Sequence, residues 1–118
     1  MFKNIEQSLS WQMEFPDGTI AECESSYAED MNLLHADAEN GWFELSPAYS
    51  YKGITGKTSQ GKIDFPGVIQ QAGQMDDFAM AIRNKRATPV PGEMGRRDVK
   101  ILMAIYKAMN SGQRVQIS

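Results

Sequence analysis

The chain has 118 residues, 42% of them hydrophobic and 23% charged, which predicts one ordinary globular domain spanning residues 1–118. Lys and Arg number 12 against 15 acids, and the clustered cations are confined to Arg83, Lys85 and Arg86 with Arg96 and Arg97, so nucleic acid is not an expected partner. A single cysteine excludes an internal disulfide and any Cys-rich zinc site, and no apolar run approaches the roughly 20 residues of a membrane-spanning helix.

From the N-terminus the period is two. Leu9, Trp11, Met13 and Phe15 alternate with Ser10, Gln12 and Glu14, which predicts a strand with one wet face over residues 6–15. Pro16-Asp17-Gly18 is a turn, because Pro fixes one dihedral and Gly permits positive φ. A second strand over residues 19–27, carrying Ile20, Ala21 and Cys23, completes a hairpin, with Cys23 as a small buried hydrophobe. Residues 32–38 and 42–46 form the next pair around Asn40-Gly41, the signal of a type I′ turn. Pro47 ends that strand. Shorter strands are expected over 49–52, 54–58 and 62–65, divided by Gly53, Gly56 and Gly61.

After Pro66-Gly67 the period becomes helical. Ala72, Met75, Phe78, Ala79 and Ile82 recur at three and four, predicting a helix over 71–84. A loop with Pro89, Pro91, Gly92 and Gly95 leads to a second helix over 96–110, its stripe formed by Val99, Leu102, Met103, Tyr106 and Met109. Ser111-Gly112 stops it, and Val115 and Ile117 suggest a returning strand. Strands first and helices after is the α+β pattern: an open, mostly antiparallel sheet with two helices packed on one face. The other sheet face then keeps apolar surface without a partner inside the chain.

The motifs with catalytic promise are few. Gly92-Glu93-Met94-Gly95-Arg96-Arg97 lacks the spacing and the Lys-Ser/Thr end of a phosphate loop, and Glu93 and Asp98 repel a phosphate. Asp98 reads instead as a first-turn acid suited to the helix dipole. His35 shares a strand face with Asp37, a pair capable of acid–base chemistry, but no nucleophile accompanies it, and a satisfied strand histidine is the simpler reading. No metal-ligand spacing is present, and Asp76-Asp77 and Glu29-Asp30 read as solvated pairs. Trp42, Phe43, Tyr49 and Tyr51 form an aromatic group that suits either packing or the wall of a sugar or cofactor pocket.

The order of segments "FPDGTIAECESSY", "GWFELSPAYSYKGITG", "QQAGQMDDFAMAIRN" and "PGEMGRRDVKILMAIYKAMNSGQRV" resembles the C-terminal domain of the glucose–fructose oxidoreductase, inositol dehydrogenase and rhizopine-catabolism (Gfo/Idh/MocA) family, nearest its glucose–fructose oxidoreductase branch. The resemblance runs from about residue 6 to 115. It implies a parent with an N-terminal Rossmann domain that binds NAD or NADP, absent from this chain, and a C-terminal domain that shapes the sugar site and mediates oligomerisation. The dinucleotide glycine motif, the Glu-Lys-Pro motif with its catalytic Lys and the helix with the family's acid–base residue have no counterpart in these residues, so no catalytic residue carries over. Tyr49 and Tyr51 fall where the family approaches nicotinamide and sugar. Gly92, Glu93, Gly95 and Asp98 match the family's loop–helix signature.

The resulting expectation is a substrate-binding and oligomerisation domain of an NAD(P)-dependent sugar-type oxidoreductase, inactive alone and holding no cofactor itself. Its expected partners are the Rossmann domain, a sugar or polyol, and a second copy across the open sheet face. Its expected compartment is the cytoplasm, or the periplasm if the parent carries a signal peptide. A free-standing binding or assembly module is the alternative, and a small enzyme using His35 with Asp37 is a third.

Overall fold

The structure is a computed structural model describing residues 5–64 and 66–117. It divides into two compact units, residues 1–70 with all the strands and residues 71–118 with nearly all the helical structure.

In the first unit, β1 (Ser8–Glu14) and β2 (Ile20–Ser26) make an antiparallel hairpin in which Trp11 faces Cys23 and Met13 faces Ala21. Leu9, Trp11, Met13, Ala21 and Cys23 are half-buried on one face, as the alternation predicts. The Pro16-Asp17-Gly18 turn is closed by Phe15 N–H to the Thr19 carbonyl at 2.8 Å. Asp17 Oδ1 accepts from Thr19 N at 2.9 Å, and this backbone bond, helped by the Thr19 hydroxyl, holds the Asp17 carboxyl below its ordinary value.

The remaining strands form a separate four-stranded antiparallel meander: β3 (Leu34–Ala38), β4 (Gly41–Leu45), β5 (Gly56–Thr58) and β6 (Gly61–Ile63). The open antiparallel character is as expected, but the strands are shared between two sheets. The turn between β3 and β4 is not type I′. Glu39 and Asn40 keep negative φ, and the positive value, +136°, falls on Gly41. A Cβ there would meet Ser59 Oγ at 2.2 Å, so both conformation and space require glycine. Gly56 permits close pairing with β4, since a Cβ would approach Leu45 Cδ2 to 2.7 Å and the Glu44 carbonyl to 3.1 Å. Residues 49–52 are irregular rather than a strand, because their backbone groups bond to Asn32 and Gln70 instead of a ladder. The sixth strand is shorter than expected, and Phe65, placed in it by the sequence, lies outside the described residues.

In the second unit, α1 (Gln70–Arg83) buries Ala81. The second helix, α2, runs over Gly92–Ser111, so it begins four residues earlier than the glycines suggest. Pro91 is its N-cap, extended at φ −72° and ψ 160°, and its carbonyl accepts from Met94 N at 3.0 Å. Gly92 and Gly95 are thus first-turn helical residues, at a propensity cost of up to about 1 kcal/mol each that a long helix absorbs. Glu93 becomes the first-turn acid, and Asp98 moves to the second turn, paired with Arg97 at 3.3 Å. Gly112 ends the helix in the left-handed region, donating to the Ala108 carbonyl at 2.8 Å, as predicted. Val115 and Ile117 join no ladder among the described residues.

Very little of this chain is buried. Among the described residues the buried hydrophobics are Ala48 and Ala81, and α2 contains no buried residue. The chain exposes 10391 Å². A folded monomer of 13.2 kDa exposes about 6,400 Å², and two separately folded halves of that mass about 7,700 Å². The excess therefore holds whatever the arrangement of the two units.

Candidate functional site

The two tyrosines singled out by the sequence lie on the loop between β4 and β5. Its base is closed by Ser46 N donating to the Thr55 carbonyl at 2.9 Å and by the Thr55 hydroxyl donating to the Ser46 carbonyl. The Ser46–Pro47 peptide is cis. Within the loop Ala48 is buried, while Tyr49 and Tyr51 are 67% and 75% exposed. Asn32, just before β3, holds this segment. Its carbonyl accepts from Ala48 N at 3.0 Å, its Oδ1 accepts from Tyr49 N at 2.7 Å, and its Nδ2 donates to Ser50 Oγ at 3.0 Å. Gln70 Nε2 adds a bond to the Ser50 carbonyl at 3.3 Å. Neighbouring aromatics diverge in role: Trp42 is half-buried in the sheet, and Phe43 on the next position faces the other way.

A second group occupies the polar face of the four-stranded sheet. Register places His35 opposite Glu44, and Glu44 opposite Lys57. His35 Nε2 lies 3.3 Å from Asp37 Oδ1, and its Nδ1 lies 3.5 Å from Glu44 Oε2. Lys57 Nζ is 2.9 Å from Glu44 Oε1, and this bond, with the lesser effect of His35, holds the Glu44 carboxyl below its ordinary value. The His35 ring stacks on Trp42 at 5.8 Å, and Lys57 Nζ sits 5.8 Å from the same ring. His35 is therefore satisfied on three sides, which agrees with a structural strand histidine. Beside Lys57 a shallow hollow of about 510 Å³ is lined by Glu44, Ser46, Thr55, Gly56, Lys57 and Lys62. Sequence reasoning missed Glu44 and Lys57: a type I′ turn centred on Asn40-Gly41 would set Glu44 against Asp37, whereas the observed register, with Ala38 paired to Gly41, sets it against His35.

Cys23 is half-buried and its thiol is pushed up by burial, away from the thiolate a nucleophile needs. In the helical unit, a hollow of about 440 Å³ between α1 and residues 88–90 is lined by Met75, Phe78, Pro89 and Val90 with Gln74, Asp77 and Thr88. Arg86 pairs with Asp77 at its edge. The glycines of α2 make no cradle: a Cβ at Gly92 or Gly95 would meet nothing within 4 Å, and Glu93 stands beside them. These residues do not fit a dinucleotide phosphate. Among the described residues, no three His, Cys, Asp or Glu side chains gather as metal ligands.

No protein-family model matches the chain. Among solved structures, the chain is similar to aldose-aldose oxidoreductase from Caulobacter crescentus, crystallised in complex with glycerol, with a TM-score of 0.89 and 28% identity. The match covers 96% of this chain and 36% of that protein, so the chain spans about a third of the relative's length. Among the described residues, no helix is long and apolar enough to cross a membrane. Fold, segment order and this likeness agree with the resemblance drawn from the sequence: the chain is an oxidoreductase-related domain, built like the C-terminal part of the Gfo/Idh/MocA family.

Proposed function

We propose that the chain is the substrate-side and oligomerisation domain of an NAD(P)-dependent, sugar-type oxidoreductase, and that it has no catalysis of its own. The observation that carries this is the superposition of nearly the whole chain on a third of an aldose-aldose oxidoreductase. Hydride transfer requires a nicotinamide held against the substrate carbon. In this chain the Gly92–Gly95 segment is a helical turn and Gly56 and Gly61 open short strands, which leaves dinucleotide binding to the remaining part of such an enzyme. Tyr49 and Tyr51 supply exposed rings with polar tips, suited to one wall of a sugar or polyol pocket. Leu34 and Phe43, partly exposed on the apolar side of the meander, support self-association across that open face. The expected setting is the cytoplasm, or the periplasm for a parent with a signal peptide.

Calorimetry with NADH and NADPH tests the division of labour. The isolated chain is expected to give no binding heat, and saturable binding of either cofactor would overturn the proposal. Perturbation of the Tyr49 and Tyr51 ring signals by a polyol such as glycerol supports the pocket-wall role; rings indifferent to every polyol and aldose tried would remove it.

A further inference from the structure

The Tyr49–Tyr51 loop combines two properties that rarely coincide in an exposed loop. Its rings are mostly in solvent, yet its base and its first half are tied at several points: Ser46 to Thr55, the Ala48 and Tyr49 amides to Asn32, the Ser50 hydroxyl to Asn32 and the Ser50 carbonyl to Gln70. Ala48 is one of the two buried hydrophobics among the described residues, so scarce burial is spent inside this loop. An exposed loop with no task needs no such fixation, since water satisfies its polar groups.

We infer that Asn32 is a positioning residue, which sets the backbone from which Tyr49 and Tyr51 present their rings to a polyhydroxylated ligand. The ligand part of this inference rests on the pocket-wall role proposed above. Asn is chemically suited to the task. Its amide has an acceptor and a donor on one short side chain, and here each is used on a different loop residue, 17 and 18 positions away. The main-chain carbonyl adds a third attachment. Fixing the backbone removes the ordering cost that a mobile aromatic wall would incur on each binding event.

The test uses the whole chain labelled with 3-fluorotyrosine, with signals assigned through Tyr49→Phe and Tyr51→Phe, and reads amide exchange alongside. Asn32→Ala is expected to speed exchange at the Tyr49 amide by about tenfold, and to move the Tyr49 and Tyr51 fluorine signals toward free tyrosine. Exchange in the Trp11–Cys23 hairpin stays unchanged. Asn32→Asp keeps an acceptor for Tyr49 N, and the Ser50 hydroxyl can turn to donate to the new carboxylate, so this variant stays near wild type, whereas Ser50→Ala loses one tie and falls between wild type and Asn32→Ala. Unchanged exchange and unchanged ring signals in Asn32→Ala overturn the inference, as does a uniform rise in exchange across all strands. Failure of glycerol to shift the wild-type ring signals, with the Asn32 series as expected, would sink the pocket-wall role and leave the positioning role standing.

Discussion

The tyrosine loop and helix α2 expose similar chemistry on opposite terms. The loop has no regular structure, yet it is tied to Asn32, Gln70 and its own base, and it buries Ala48. The helix has ideal regularity over 20 residues, yet buries none of them, and Val99, Leu102, Met103, Tyr106 and Met109 are all more than 40% exposed. Regular hydrogen bonding and tertiary fixation are thus separate matters. A helix in water draws most of its stability from packing an apolar face, and a stripe this exposed leaves α2 with little of that support. The difference teaches that this chain is finished at its loop and unfinished at its helix.

Substitutions can break that contrast. The largest effect is expected at Ala81, 4% exposed on α1, where Asp would bury a charge without a partner and cost about 3 kcal/mol or more; Leu102→Asp on the open stripe should cost less than about 0.5 kcal/mol in the same denaturant titration. Equal losses would show that the stripe is already covered. Gly41→Ala comes next, at about 1–3 kcal/mol, because the positive φ and the Ser59 side chain both oppose a Cβ. Gly95→Ala should change stability in the other direction, raising it by up to about 1 kcal/mol with a gain in helical circular dichroism, since the position is helical and open around its Cα. A loss there would return the segment to a loop.

The smallest effect concerns pH. The Glu44 carboxyl is held below its ordinary value near 4.5, chiefly by Lys57. A group whose folded value is depressed favours the fold fully above the unfolded value, and that contribution disappears as pH falls through the folded one. Urea midpoints should therefore decline slightly on acidification below about 4.5, and Lys57→Met should flatten this part of the decline. An unaltered slope would mean that the pair does not hold in solution.

Much of the first unit was legible because it is local. Alternation in residues 8–14 and Pro-Asp-Gly specify strands and a turn from neighbouring residues, and Asn-Gly marks where the second hairpin folds, though not its turn type. The start of α2 was misplaced because glycine signals a loop by propensity, whereas Pro91 fixes an extended cap and the following residues join the helix regardless. Residues 49–52 look like a strand, but their hydrogen bonds go to Asn32 and Gln70, contacts across 17 to 20 residues that no window of sequence reveals. The same distance hid Asn32 as part of the candidate site. Tyr49 and Tyr51 were found through family resemblance, since aromatic composition by itself fits packing equally well.

Sedimentation equilibrium on the unmodified chain, over a wide concentration range, tests the central claim most directly. A chain with this much uncovered apolar surface should self-associate, and Phe43→Glu on the apolar side of the meander should shift it toward monomer while helical circular dichroism is retained. A strictly monomeric chain at the highest concentration, unfolding cooperatively as a stable domain, would contradict the account.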